Sequence, residues 1–70
     1  MPLWEYVTHL RVSHAVRLLL GTDLGVDRIA FESGFGSRSS FYRAFVRLTG
    51  RPPGALRRAE AQAPPLRAGT

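Results

Sequence analysis

The chain has 70 residues and carries 10 basic side chains, all of them arginine, against 5 acidic ones, a formal net charge of +5. A chain this short forms one small domain at most, burying only about 60% of its unfolded surface, and leaves little room for an active-site cleft. With no cysteine, disulfide scaffolds and Cys-ligated zinc are excluded, and two histidines with five carboxylates are a thin inventory for any other metal site. No stretch approaches the roughly 18 uninterrupted apolar residues of a membrane span, and the N-terminal segment lacks the charged and apolar regions of a signal peptide. These features lead to the expectation of a soluble, cytoplasmic domain with an anionic partner, no membrane association and no cofactor. A hydrophobic share of 44% is that of a globular chain.

Pro2 suits the first turn of a helix, where its missing N–H costs nothing. From there to Leu20 the spacing is helical. Leu3, Val7, Leu10, His14 and Leu18 fall on one stripe, and Val12, Ala15 and Leu19 on another well round the cylinder. A helix apolar on two sides is normally sandwiched, and the rest of the chain can cover only part of it. Gly21 is expected to stop this helix, and residues 22–25 read as a loop.

A short second helix is predicted from Val26 to Ser33, with Val26, Ile29 and Ala30 inward and Asp27 in the first turn, where the helix dipole favours a negative charge. Gly34 then supplies the positive φ of a tight turn and Phe35 drops into the core behind it. Ser37 is a sound N-cap for a third helix running to about Leu48. Its residues Phe41, Ala44, Phe45 and Leu48 share an apolar face. The opposite face holds Ser39, Arg43 and Val46, flanked by Arg38 and Tyr42. Gly50 ends it. Pro52 and Pro53 are compatible with the start of a fourth helix reaching about Ala61, with Leu56 inward and Arg57 and Arg58 outward. Residues 62–70 have Pro, Gly and no periodicity, and are expected to be a disordered tail.

The charge is unevenly placed. Residues 1–33 carry Arg11, Arg17 and Arg28 against Glu5, Asp23, Asp27 and Glu32, for −1. Residues 34–58 carry Arg38, Arg43, Arg47, Arg51, Arg57 and Arg58 with no acid, for +6. Glu60 and Arg67 cancel in the remainder. A charge run is usually only a solvated face, but this one is interleaved with Phe35, Phe41, Tyr42 and Phe45. A structured cationic face is an electrostatic footprint for a polyanion.

Two short helices joined by a glycine-containing turn, the second presenting Arg and Ser outward, form the arrangement of a helix-turn-helix. A helix about 10–12 Å across fits a major groove about 12 Å wide. Helix geometry assigns base contacts to Arg38, Ser39, Tyr42 and Arg43, with Arg43 the leading candidate for a bidentate contact to guanine. Phosphate contacts are assigned to Ser37, Ser40, Arg47, Arg57 and Arg58. His9 and His14 are five apart and share no face as an i, i+4 metal pair would, so no metal site is expected. Ser13-His14 lacks a positioned acid, so no catalytic residue and no enzyme is expected.

At these residues a family resemblance emerges. Gly34-Phe35-x-Ser37-x-Ser39-x-Phe41-x-Arg43-x-Phe45 followed by Gly50-x-Pro52-Pro53 resembles the AraC/XylS family of bacterial transcription regulators. Upstream, Tyr6, Leu10-Arg11-Val12, Ala15, Arg17-Leu18-Leu19-Leu20, Asp23-Leu24 and Ile29-Ala30 resemble the same family's linker helix and the first helix of its second helix-turn-helix. The resemblance covers residues 2 to about 58. It implies an all-α, homeodomain-like helix-turn-helix fold, with residues 1–21 a long linker helix and residues 22–61 the second subdomain, built of three short helices.

The implied function is sequence-specific binding of double-stranded DNA, with residues 37–48 in the major groove, by a truncated, nucleoid-associated regulator. The first subdomain and any effector-binding or dimerisation domain would lie outside these residues, so no small-molecule effector site is expected here. Val46 stands where the family often has Lys or Arg, and Gly25 where a Ser-like cap is common; both departures should weaken the element without abolishing it. A rival reading uses the second apolar side of the first helix, with Leu3, Trp4 and Val7 as candidates, to bind a partner such as the first subdomain or RNA polymerase. A non-functional remnant is the third alternative.

Overall fold

The computed structural model describes residues 2–62. The tail beyond Gln62 lies outside the described residues. Four helices run in order, α1 (Leu3–Gly21), α2 (Val26–Glu32), α3 (Arg38–Thr49) and α4 (Pro53–Gln62), and no strand occurs among the described residues. The fold is all-α, as the periodicities predict.

The core is built on one side of α1. Val12, Ala15 and Leu19 are buried there, Ile29 and Ala30 come from α2, Phe35 from the turn, and Phe41 and Phe45 from α3. Of the two apolar stripes on α1, the narrow one carrying Ala15 is therefore the inner one. Its smallest residue is fully enclosed. Val7 and Leu18, from the broader stripe, are half-buried at its edge, while Leu3, Leu10 and His14 are exposed. Phe41 is the centre of an aromatic chain, its ring 5.3 Å from Phe35 and 5.5 Å from Phe45 in tilted geometries. Such arrangements add about 0.5–1.5 kcal/mol per pair to the burial itself.

The helix ends follow from local chemistry. The second helix stops as a Schellman motif: Gly34 takes φ +91°, its N–H donates to the Phe31 carbonyl, and the Phe35 N–H donates to the Ala30 carbonyl. Phe35 supplies the hydrophobic contact that accompanies this cap. Ser37 caps α3, its Oγ accepting from the Ser40 N–H at 3.1 Å, and Gly50 closes the helix at φ +85°. Pro53 opens α4 and is itself buried.

Two expectations are corrected here. Gly21 does not stop α1; it is the last helical residue and has no positive φ. The chain turns extended at Thr22 (φ −139°, ψ 171°), whose N–H and Oγ1 both donate to the Leu18 carbonyl, at 3.0 and 2.6 Å, and so cap the end. Arg57 does not point outward. Its guanidinium spans from α4 to the end of α1, with Nε donating to the Leu19 carbonyl (3.1 Å), Nη1 to Leu24 (2.6 Å) and Nη2 to Thr22 (3.0 Å).

The last carbonyls of a helix have no partner within it and carry the negative end of its dipole. No basic residue sits in the last turn of α1, so Arg57 brings both donors and charge from a distant helix. Arg57→Ala should lower unfolding stability by about 2 kcal/mol, since hydrogen bonds to a charged group are worth more than neutral ones and the exposed carbonyls are left without it. Arg57→Lys should recover little, because an ammonium cannot reach three divergent acceptors as a planar fork does. Urea melts followed by circular dichroism read both changes.

Candidate nucleic-acid interface

The turn between α2 and α3 fixes how the outer face of α3 is presented. Phe41 and Phe45 are fully buried and set the rotation of the helix about its axis. With those two residues inward, Ser39, Arg43 and Val46 must face solvent, because they lie roughly opposite at 100° per residue. Arg38, Ser39, Ser40 and Arg43 are all exposed. Of these, Ser39 and Arg43 share the solvent face of α3, with Arg38 and Ser40 on either side of it.

Tyr42 occupies a different place from its neighbours. It is half-buried, its ring edge-on to Phe41 at 6.0 Å, and the Arg38 guanidinium lies over it with Cζ 5.4 Å from the ring centroid. Arg38 also pairs through Nε with Asp27 Oδ1 of α2 at 3.2 Å. The Tyr42 side chain first, and the Asp27 carboxylate second, raise the Arg38 pKa above its ordinary value. The guanidinium is charged at any pH at which the protein is folded.

The candidate phosphate-contacting residues divide. The Ser37 hydroxyl is occupied in capping and donates to Ser40 Oγ at 3.1 Å. Arg47 turns toward α1, its Cζ 5.8 Å from the Trp4 ring centroid and its Nη2 3.7 Å from Glu5 Oε2. Arg57 is committed to the carbonyls at the end of α1 and is removed from the candidate surface. Arg58 is exposed. Among the described residues Arg43, Arg51 and Arg58 take part in no ion pair. Asp27 is the residue that sequence reading missed as part of this face. It was read only as a charge at the start of α2, and its proximity to Arg38 depends on the angle the turn sets between the two helices.

On α1, Leu3 and Trp4 are exposed as expected, but Val7 is half-buried, and Tyr6 and Leu10 join the outer surface. Trp4 is partly covered by Arg47. Among the described residues no helix is long and apolar enough to cross a membrane, and no group of three His, Cys, Asp or Glu side chains converges to hold a metal.

A capped short helix, a glycine turn and a second helix with a polar, cationic outer face define a helix-turn-helix protein. Comparison with known proteins agrees: residues 1–59 match a helix-turn-helix domain model. The transcriptional regulator GlxA of Rhizobium meliloti is 45% identical over 49 residues, which is 70% of this chain and 15% of that protein. The uncharacterized regulator YijO of Escherichia coli is 43% identical over 54 residues, 77% of the chain and 19% of YijO. The melibiose operon regulatory protein of E. coli K12 is 36% identical over 62 residues, 89% of the chain and 20% of that regulator. The chain thus spans a fifth or less of these relatives. No solved structure matches it. The chain belongs to the AraC/XylS family of helix-turn-helix transcription regulators.

The turn is the most constrained point of the interface. A Cβ on Gly34 would lie 3.2 Å from Arg11 Nε, and the residue's φ is +91°. Gly34→Ala should therefore cost more than the roughly 1 kcal/mol of a left-handed backbone alone. Gly50→Ala should cost only that, because a Cβ there meets nothing within 4 Å. Thermal unfolding of the two variants side by side checks the order.

Proposed function

We propose that this chain reads double-stranded DNA by laying α3 in the major groove, as the DNA-binding part of a transcription regulator. The observation that carries this reading is the division of α3: phenylalanines locked into the core on one side, and arginine and serine with no acid on the other. Arg43 is the leading base reader, exposed and outside every ion pair among the described residues. Its planar fork matches the O6 and N7 acceptors of guanine. Arg38, Ser39 and Tyr42 complete the base-reading set. Ser40 and Arg58 serve phosphates, together with the free N–H groups of the first turn of α3, while Ser37 holds the cap that orients Ser40 and Arg47 would have to leave Glu5 to join them. The role is binding, without catalysis or cofactor, on DNA in the cytoplasm.

As an isolated module the chain should bind near the non-specific range of about 10⁻⁴ to 10⁻⁶ M, with affinity falling steeply as salt rises. Arg43→Ala should relax discrimination at one base pair by about 1–3 kcal/mol, whereas Arg58→Ala should weaken all sequences alike. Competition binding against single-base operator variants reads the difference, and an unchanged sequence preference in Arg43→Ala overturns the assignment.

A second reading rests on the outer side of α1, where Leu3 is 76% and Leu10 53% exposed with Tyr6 between them. These residues lie opposite the Val12, Ala15 and Leu19 stripe, and they support a protein contact, such as one with the other subdomain that the family resemblance implies. Leu10→Asp should leave the fold and DNA affinity of the 70-residue chain intact and abolish partner capture. Loss of DNA binding instead would count against a separate role for this face.

A further inference from the structure

Asp27 is the acid of α2 that pairs with α3, and it does so at the residue that opens the helix. Its Oδ1 lies 3.2 Å from Arg38 Nε, with the two side chains 73% and 62% exposed. An exposed ion pair of this kind contributes little to stability, so its worth must be sought elsewhere.

The atom used is informative. A guanidinium has a side-on edge that includes Nε and an end-on edge formed by its two terminal nitrogens. Asp27 engages Nε, and the Tyr42 side chain of the same helix is the other group at this guanidinium, so no partner from another element is drawn to the terminal pair among the described residues. That end-on pair is the fork that guanine O6 and N7 accept. The Tyr42 ring beneath the guanidinium limits rotation of its plane. Arg38 is thus held on two sides, by a carboxylate at one edge and an aromatic ring against one face. Asp27 also puts a carboxylate charge beside the guanidinium, and a phosphate drawn to the same group would be repelled by that charge.

We infer that Asp27 is a specificity-determining positioning residue, which holds Arg38 with its terminal fork free for a base edge and disfavours its use as a general phosphate contact. The inference rests on the DNA-reading proposal and concerns the same surface. It makes Arg38 differ from Arg43, which has no such buttress among the described residues.

The test is selection of the 70-residue chain on random-sequence duplex DNA at low salt, with the enriched base preferences compared between variants. The position read by Arg38 is the one whose preference disappears in Arg38→Ala. Asp27→Asn should flatten that preference by about two- to fivefold, the range that a solvent-exposed ion pair supports. Affinity for unselected duplex should be unchanged or higher. Asp27→Glu should restore part of the preference, and Asp27→Ser serves as a second, smaller uncharged variant. In an Arg38→Ala background Asp27→Asn should change nothing further, whereas a merely structural effect of losing the α2 charge would persist there. A profile for Asp27→Asn that matches the parent base for base, or sharpens it, overturns the inference alone. A parent chain that enriches no sequence overturns the DNA-reading proposal and takes the inference with it.

Discussion

The seating of Phe41 and Phe45 against the Val12, Ala15 and Leu19 stripe is the contact on which the remaining structure depends. Both rings are fully buried, and full burial of such a side chain contributes about 1.5–3 kcal/mol. A small domain is stable by only about 5 kcal/mol or a little more, so two such residues amount to most of its margin. The same contact has a second effect that is geometric. Two inward anchors four residues apart fix the rotation of α3, and its outward residues then have no freedom to choose another face. Core packing and site presentation are here one constraint.

The small core places weight on the helix ends. Each helix leaves several backbone groups unsatisfied, and four helices in about 60 residues make many ends per residue. Four of these ends have a specific partner: Ser37 at the start of α3, Gly34 and Phe35 after α2, Gly50 after α3, and Thr22 with Arg57 after α1. The Arg57 arrangement differs from the others in reach, since it joins residues 33 to 38 positions apart. It ties α4 to the α1–α2 loop, and so holds the start of α2 relative to the long helix. The α2 start otherwise has only Gly25, which offers no side-chain cap.

What was legible in the sequence follows the range of the interactions. The Schellman turn at Gly34, the Ser37 cap, the inner face of α3 and the opening of α4 at a proline are all decided by residues within a few positions of one another, and each could be read directly. The helix-turn-helix class followed from those local features in order. Periodicity could not choose between the two apolar stripes of α1, because both are regular. Ala15 decided it: a small residue allows the closest approach of another helix, and that selection is made by the partner. Arg57 was misread for a related reason. An arginine after a proline-opened helix looks like a solvated charge until the distant carbonyls of Leu19, Thr22 and Leu24 are brought beside it. Asp27 had the same fate, since a carboxylate in a first helical turn already has a local explanation.

The two misread residues change how the charge of the segment should be understood. Six arginines between positions 34 and 58 suggest a footprint of six cations, yet their environments are unequal. Arg57 is consumed by the scaffold, Arg38 and Arg47 face carboxylates from α2 and α1, and Arg43, Arg51 and Arg58 stand without ion pairs among the described residues. Counterion release scales with phosphates actually neutralised, with a slope near 0.9 per contact. The salt dependence should therefore track the unpaired set more closely than the formal count. An arginine already facing a carboxylate gains less from a phosphate than a free one does, because binding must first displace the existing partner. On the proposed reading, the acids of α1 and α2 oppose indiscriminate backbone binding while leaving the outer face of α3 cationic. For the surface proposed on α3, discrimination rests on keeping that ratio favourable.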